Sequence, residues 1–168
     1  RYIDGARVVS KEAVNGDFVP PGAAIGKLNS SGKYAPVTRD EVASGGATAS
    51  SNTIPLKNLT EVDWHNWQVG DEIICAPGET NEETAVIQSI DESAGELTVD
   101  SISTDHSEGV IIEKNDGSSE AEFVCLELVD VSIEDQLVGG IVHGAIYSDR
   151  MPNYNAVVAK DLNMISFE

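Results

Sequence analysis

Cations are scarce in this sequence: ten Lys and Arg stand against 29 Asp and Glu, for a formal charge of −19. Polyphosphates are held mainly by cations that displace their counterions. Direct DNA or RNA binding is therefore excluded as a main role, and an anionic membrane surface would repel the chain. Long apolar runs are lacking too. No stretch approaches the roughly 18 to 20 consecutive apolar residues of a bilayer span. Arg1, Asp4, Arg7, Lys11, Glu12 and Asp17 break every apolar run near the start, which does not read as a signal peptide. A soluble chain is expected.

Cysteine is nearly absent. Cys75 lies in Ile73-Ile74-Cys75-Ala76 and Cys125 in Phe123-Val124-Cys125-Leu126, both apolar runs in which a free thiol behaves as a small buried hydrophobe. One disulfide between them is the alternative. Catalytic patterns are missing as well: His65, His106 and His143 are scattered, and there is no His-Glu-x-x-His, no Gly-x-Ser-x-Gly and no P-loop. The chain is read as not an enzyme and as needing no cofactor. His143, in an apolar alternating run, reads as a structural histidine, and His106 as a turn residue. The acid pairs Asp91-Glu92 and Glu82-Glu83 lack EF-hand spacing, so they read as a solvated acidic face with no bound metal.

The residues that are present point to a mainly β fold with little helix. Of 168 residues 40% are hydrophobic, enough for a real core, and 15 glycines supply turns. Residues 1–17 show no sustained period and read as an extended arm. Pro20-Pro21-Gly22, the run 23–28, Asn29-Ser30-Ser31-Gly32 and the run 33–37 predict a hairpin. The small residues 44–51 resemble a linker in composition, which sets a boundary near residue 50. Residues 50–115 then alternate through several short runs separated by turns and predict a compact inserted β-barrel. The outer parts, 18–49 and 116–168, form the β core, ending in apolar runs 123–131 and 137–146. A short helix near 155–161 and a terminal strand 164–167 complete it.

Pro21-Gly22-Ala23-Ala24-Ile25-Gly26-Lys27-Leu28 and Gly32-Lys33-Tyr34-Ala35-Pro36-Val37 resemble the opening hairpin of the lambda-type viral head decoration proteins. Val124 to Val131 followed by Gly140-Ile141-Val142-His143-Gly144-Ala145-Ile146 is similar to that family's paired closing strands. Together these stretches cover about half the chain; residues 50–115 depart from the minimal pattern and resemble a β-module inserted in phage head and fibre proteins. The resemblance implies a small β-barrel or β-tulip-like core, a homotrimer, and the major capsid protein as partner. It implies a structural virion protein on the outer surface of a mature tailed-virus capsid, assembled in the host cytoplasm and reinforcing the shell against internal DNA pressure. The acidity also suits concentrated salt, where the screening length shrinks to about 3 Å, and a haloarchaeal virus would account for it.

Tyr2, Ile3, Val8 and Val9 are the expected capsid contacts, because apolar side chains in a polar arm need a surface to cover them. Trp64 and Trp67 flank His65 and read as packing or interface anchors. The competing function is a carbohydrate- or surface-binding β-module that uses those two rings.

Overall fold

Short apolar runs punctuated by Gly, Pro and Asn make short strands, and the structure, a computed structural model, contains fifteen of them among its described residues. It describes the backbone of residues 2–168 and the side chains from residue 7 onward. In chain order the strands begin β1 Tyr2–Val9, β2 Phe18–Val19, β3 Ala24–Lys27, β4 Tyr34–Pro36 and β5 Arg39–Glu41. Then come β6 Thr53–Pro55, β7 Glu72–Cys75, β8 Glu83–Asp91, β9 Glu96–Val99 and β10 Ile111–Lys114. The last third adds β11 Ala121–Cys125, β12 Val129–Asp130, β13 Gln136–Ile141, β14 Gly144–Ile146, helix α1 Ala156–Asp161 and β15 Ile165–Phe167. With 39% strand and 7% helix, the fold is mainly β. Among the described residues no helix is long and apolar enough to cross a membrane.

The chain divides into two compact units. Unit 1 comprises Arg1–Val37, Asp63–Asn66 and Asp116–Glu168; unit 2 comprises Thr38–Val62 and Trp67–Asn115.

Unit 1 is built on a closed barrel in the order β1-β13-β11-β3-β4. Closure comes from a parallel pairing of Val9 with Tyr34, beside which Ser10 N donates to Tyr34 O at 2.9 Å. Side chains alternate across a strand, and here both faces of β3 and β11 are covered. Ile25, Phe123 and Cys125 join Val9 and Val138 in one core, while Ala24 and Val124 join Val158, Leu162 and Ile165 in a second. Such two-sided burial explains why these stretches read as unbroken apolar runs. Gly140 is required in β13 because a Cβ there would overlap the Phe123 ring. The second core lies under α1, whose Asn155 cap accepts from Val157 N and Val158 N at 3.1 and 2.9 Å.

Unit 2 is a six-stranded sheet, β5-β10-β7-β8-β9-β6. Its outer strands are joined by the Val42–Leu56 bridge, with Ala43 N on Pro55 O at 2.8 Å and Lys57 N on Glu41 O at 2.9 Å. Ile54, Ile73, Ile87, Leu97 and Ile112 fill its core together with Trp67 and Cys75. Both cysteines are free and buried, one in each unit.

Several expectations are corrected. Residues 2–9 are a barrel strand and not an arm, paired with β13 from Tyr2–Ile141 to Val9–Gln136. A register shift between Ile3 and Arg7 breaks their alternation, and that irregularity removed the period a strand shows in sequence. The supposed linker is also structured: the unit boundary falls after Val37 and not near residue 50, and Ala47 and Thr48 form bridges to His106 and Thr53. Gly46, at φ 73°, sits where a Cβ would lie 2.9 Å from His106 O. The small residues there permit a close approach, which composition alone does not separate from flexibility. The apolar run 137–146 splits: β13 ends at Ile141, and β14 pairs in parallel with β15.

Candidate functional site

Of the expected capsid contacts, Tyr2 and Ile3 have backbones in β1, opposite Ile141 and Gly140, and their side chains lie outside the described residues. Val9 is fully buried in the barrel core and can touch nothing external. Val8 is half-buried and opposite Leu137 on β13. Trp67 belongs to the core of unit 2, whereas Trp64, in unit 1, packs against the barrel core, with its N–H donating to Pro152 O at 3.2 Å. The two rings thus fall in different units. Asn66, two residues after Trp64, accepts from Asn15 N at 2.7 Å and donates to Ala13 O at 2.9 Å, which binds residues 63–66 into unit 1.

The surface that stands out was not anticipated. Val129 and Val131 point into the core, so the even positions of the same stretch point away from it, and Leu126 and Leu128 are exposed. Leu137 and Phe18 are exposed as well, and Ile133 is 85% exposed. Leu128, Ile133 and Leu137 line an open groove of about 230 Å³ whose walls also include Glu127 and Asp130. Val8 lies across from Leu137 on β1 and is not among the residues that line the groove.

The loop carrying Ile133 is held in place by hydrogen bonds. Asp130 Oδ1 accepts from Ser132 N and Oγ at 2.9 and 2.6 Å, closing a local turn. Lys11 Nζ donates to Ser132 O at 2.5 Å and to Ile133 O at 3.2 Å, while its backbone N–H donates to Asp135 Oδ1 at 2.9 Å. Lys33 pairs with Asp135 Oδ2 at 2.5 Å. The Lys33 bond, joined by the Lys11 N–H, holds the Asp135 carboxyl below the usual carboxylate range. Two lysines and two aspartates therefore fix a loop whose largest apolar side chain faces solvent. An aliphatic group held outside its own core in this way suits a protein–protein contact.

Unit 2 holds the one buried histidine. His106 Nε2 lies 2.8 Å from Glu83 Oε1, and Glu83 also accepts from Ser103 N and Oγ, both at 2.7 Å, and from Thr104 N at 3.1 Å. Burial resists the charge on Glu83, but these bonds outweigh it and place the carboxyl below its ordinary range. Glu83 is therefore a half-buried tie between β8 and residues 103–106, not part of a solvated acidic face. His106 is a core residue and not a turn residue, while His143 is exposed between β13 and β14. The Ser103 hydroxyl donates to Glu83 and not to His106, so no nucleophile–base pair forms there. Burial, with Glu83 beside it, pushes the Cys75 thiol up to about 12, far from a reactive thiolate. Asp91 closes its own turn, accepting from Ser93 N and Oγ and from Ala94 N at 2.6 to 3.0 Å. Among the described residues no cluster of three metal-ligating side chains occurs.

A scan against protein-family models gives no match to this chain, and a search of curated proteins gives none either.

Proposed function

We propose that this chain is a structural virion protein that binds the outer surface of a mature tailed-virus capsid and braces the shell against internal DNA pressure. The observation that carries this reading is the composition of the barrel. The stretches that resemble the decoration proteins lie far apart in sequence, yet the first contains β3 and β4 and the second contributes Val124-Cys125 of β11 and Gly140-Ile141 of β13, which pair with each other in the same closed barrel. Unit 1 also bears the fixed apolar surface that attachment to a protein lattice needs. The major capsid protein is the partner this reading names, and a homotrimer and a haloarchaeal source follow from the resemblance and the acidity. A paired-tryptophan platform for sugar loses its basis, because Trp67 is buried in a core.

Co-sedimentation of the purified protein with expanded and with unexpanded shells tests the proposal. Pelleting with expanded shells, in numbers that saturate, is the expected result. A protein that stays in the supernatant with both, while binding sugars on a glycan array, would overturn it.

A further inference from the structure

The walls of the groove beside Leu128 and Ile133 say what kind of partner fits. Leu128, Val129, Ile133 and Leu137 line it, and Glu127 and Asp130 stand exposed beside them. No cation among the described residues pairs with Glu127 or Asp130; Lys11 is engaged by the carbonyls of Ser132 and Ile133 and Lys33 by Asp135. Asp130 accepts from Ser132, which lowers its pKa and keeps it charged well into acid. Exposed aliphatic side chains beside two carboxylates that pair with no cation complement an apolar segment that carries its own cations.

A second copy of this chain fits poorly. Two copies meeting through this groove would set the same carboxylates against each other. Six of the ten cations another copy could offer, Arg7, Lys11, Lys33, Arg39, Lys57 and Lys114, are already bound within the fold.

We propose that this groove takes an aliphatic protein segment flanked by Lys or Arg, supplied by a protein other than this chain. On the reading given above that partner is the capsid protein, and the inference rests on that reading only for the partner's identity. The rim charges select the partner and the leucines and isoleucine hold it. Ion pairing at the rim is screened by salt, so selectivity narrows as salt rises while the apolar component persists.

The test uses the full chain and short synthetic peptides that share one Leu/Ile pattern and are flanked by Lys, by Ser or by Glu. Affinity is read by anisotropy, and the site by methyl NMR shifts at Leu128, Ile133 and Leu137. The Lys-flanked peptide should bind about tenfold more tightly than the Glu-flanked one at low salt, with shifts at those three methyl groups that Ile133→Asp abolishes. Equal affinities for all three peptides, no binding, or shifts elsewhere would overturn the inference. So would self-association that Ile133→Asp dissolves, which would assign the groove to a second copy. Shell pelleting separates the two readings. If Ile133→Asp leaves it intact, the groove is not the docking site and the capsid role stands. If the wild type ignores shells but prefers the Lys-flanked peptide, the groove assignment stands and the capsid role fails.

Discussion

Unit 1 and unit 2 are both β structures around aliphatic cores, but they treat their surfaces in opposite ways. Unit 2 has fifteen carboxylates and three cations, and all three cations are paired: Arg39 with Glu113 at 3.2 Å, Lys57 with Glu41 at 2.7 Å and Lys114 with Asp71 at 2.8 Å. Its one large exposed hydrophobic side chain is Val69. Among the described residues unit 1 carries the other seven, including Phe18, Leu126, Leu128, Ile133 and Leu137. Large exposed apolar side chains are therefore concentrated in unit 1, while unit 2 offers solvent and neighbours an excess of negative charge, which favours solubility and discourages non-specific association.

The largest expected effect breaks the barrel and spares the other unit. Each unit contains one buried free thiol, so labelling of Cys125 and Cys75 reports the opening of unit 1 and unit 2 separately. Deleting residues 1–9 removes the strand that pairs β13 and closes onto β4, and should expose Cys125 to a thiol reagent under native conditions. Phe123→Ala, which empties the centre of the same core and removes the ring packed on Gly140, should cost about 3 to 5 kcal/mol. In denaturant it should bring Cys125 labelling forward relative to Cys75. Simultaneous exposure of both thiols would mean that the units share one cooperative transition.

An intermediate effect is expected in unit 2, where Glu83 ties the loop at 103–106 to β8. Its pKa lies below the ordinary value of 4.5 because the bonds from Ser103, His106 and Thr104 outweigh its partial burial. A carboxyl depressed by folding adds stability above its ordinary value, and that stability is lost as the pH falls through and below that value. Glu83→Gln should cost about 2 kcal/mol at neutral pH, the scale of lost charged hydrogen bonds, and should flatten the acid limb of the stability curve. Asp40 in the same unit is raised by burial, against the bonds from Asn58 and Glu41 N, so its contribution has the opposite sign and grows as the pH falls. Denaturant melts of Glu83→Gln and Asp40→Asn across the acid range should diverge; parallel curves would show that neither carboxyl governs acid stability.

Much of the β fold was legible in the sequence, the contrast between the two surfaces was not, and the misses have physical reasons. The hairpin 23–37 and the runs at 84–99 announced themselves by alternation and turn residues, because each has a simple register. β1 did not, since its pairing with β13 shifts register between Ile3 and Arg7. The run 44–51 was misread because glycine and alanine mark a close approach to His106 as readily as a flexible tether. The groove was hidden inside an apolar run. Leu126 and Leu128 continue the doubly buried stretch 123–125, but the strand leaves the barrel at Cys125 and its outward face loses the cover that α1 gives Val124. The outward phase was set by Asp130, which shares parity with both leucines, and that was the signal available beforehand. Asn66 gave no signal at all, because its partners are backbone groups far away in sequence.

The smallest expected effect on stability sharpens the comparison most. A side chain as exposed as Ile133 gains little burial on folding, so Ile133→Ser or Leu128→Ser should leave unfolding within about 0.5 kcal/mol of the parent. The same should hold for Val69→Ser in unit 2. If attachment is confined to the barrel, the first two should release the protein from expanded shells and Val69→Ser should not, although all three remove a comparable exposed aliphatic group. Denaturant melts alongside shell pelleting check both halves of this. Loss of stability in Ile133→Ser would mean that the loop held by Lys11 and Lys33 relies on its isoleucine for its own folding. Loss of pelleting in Val69→Ser would mean that the acidic unit also attaches, and the division between the two surfaces would not hold.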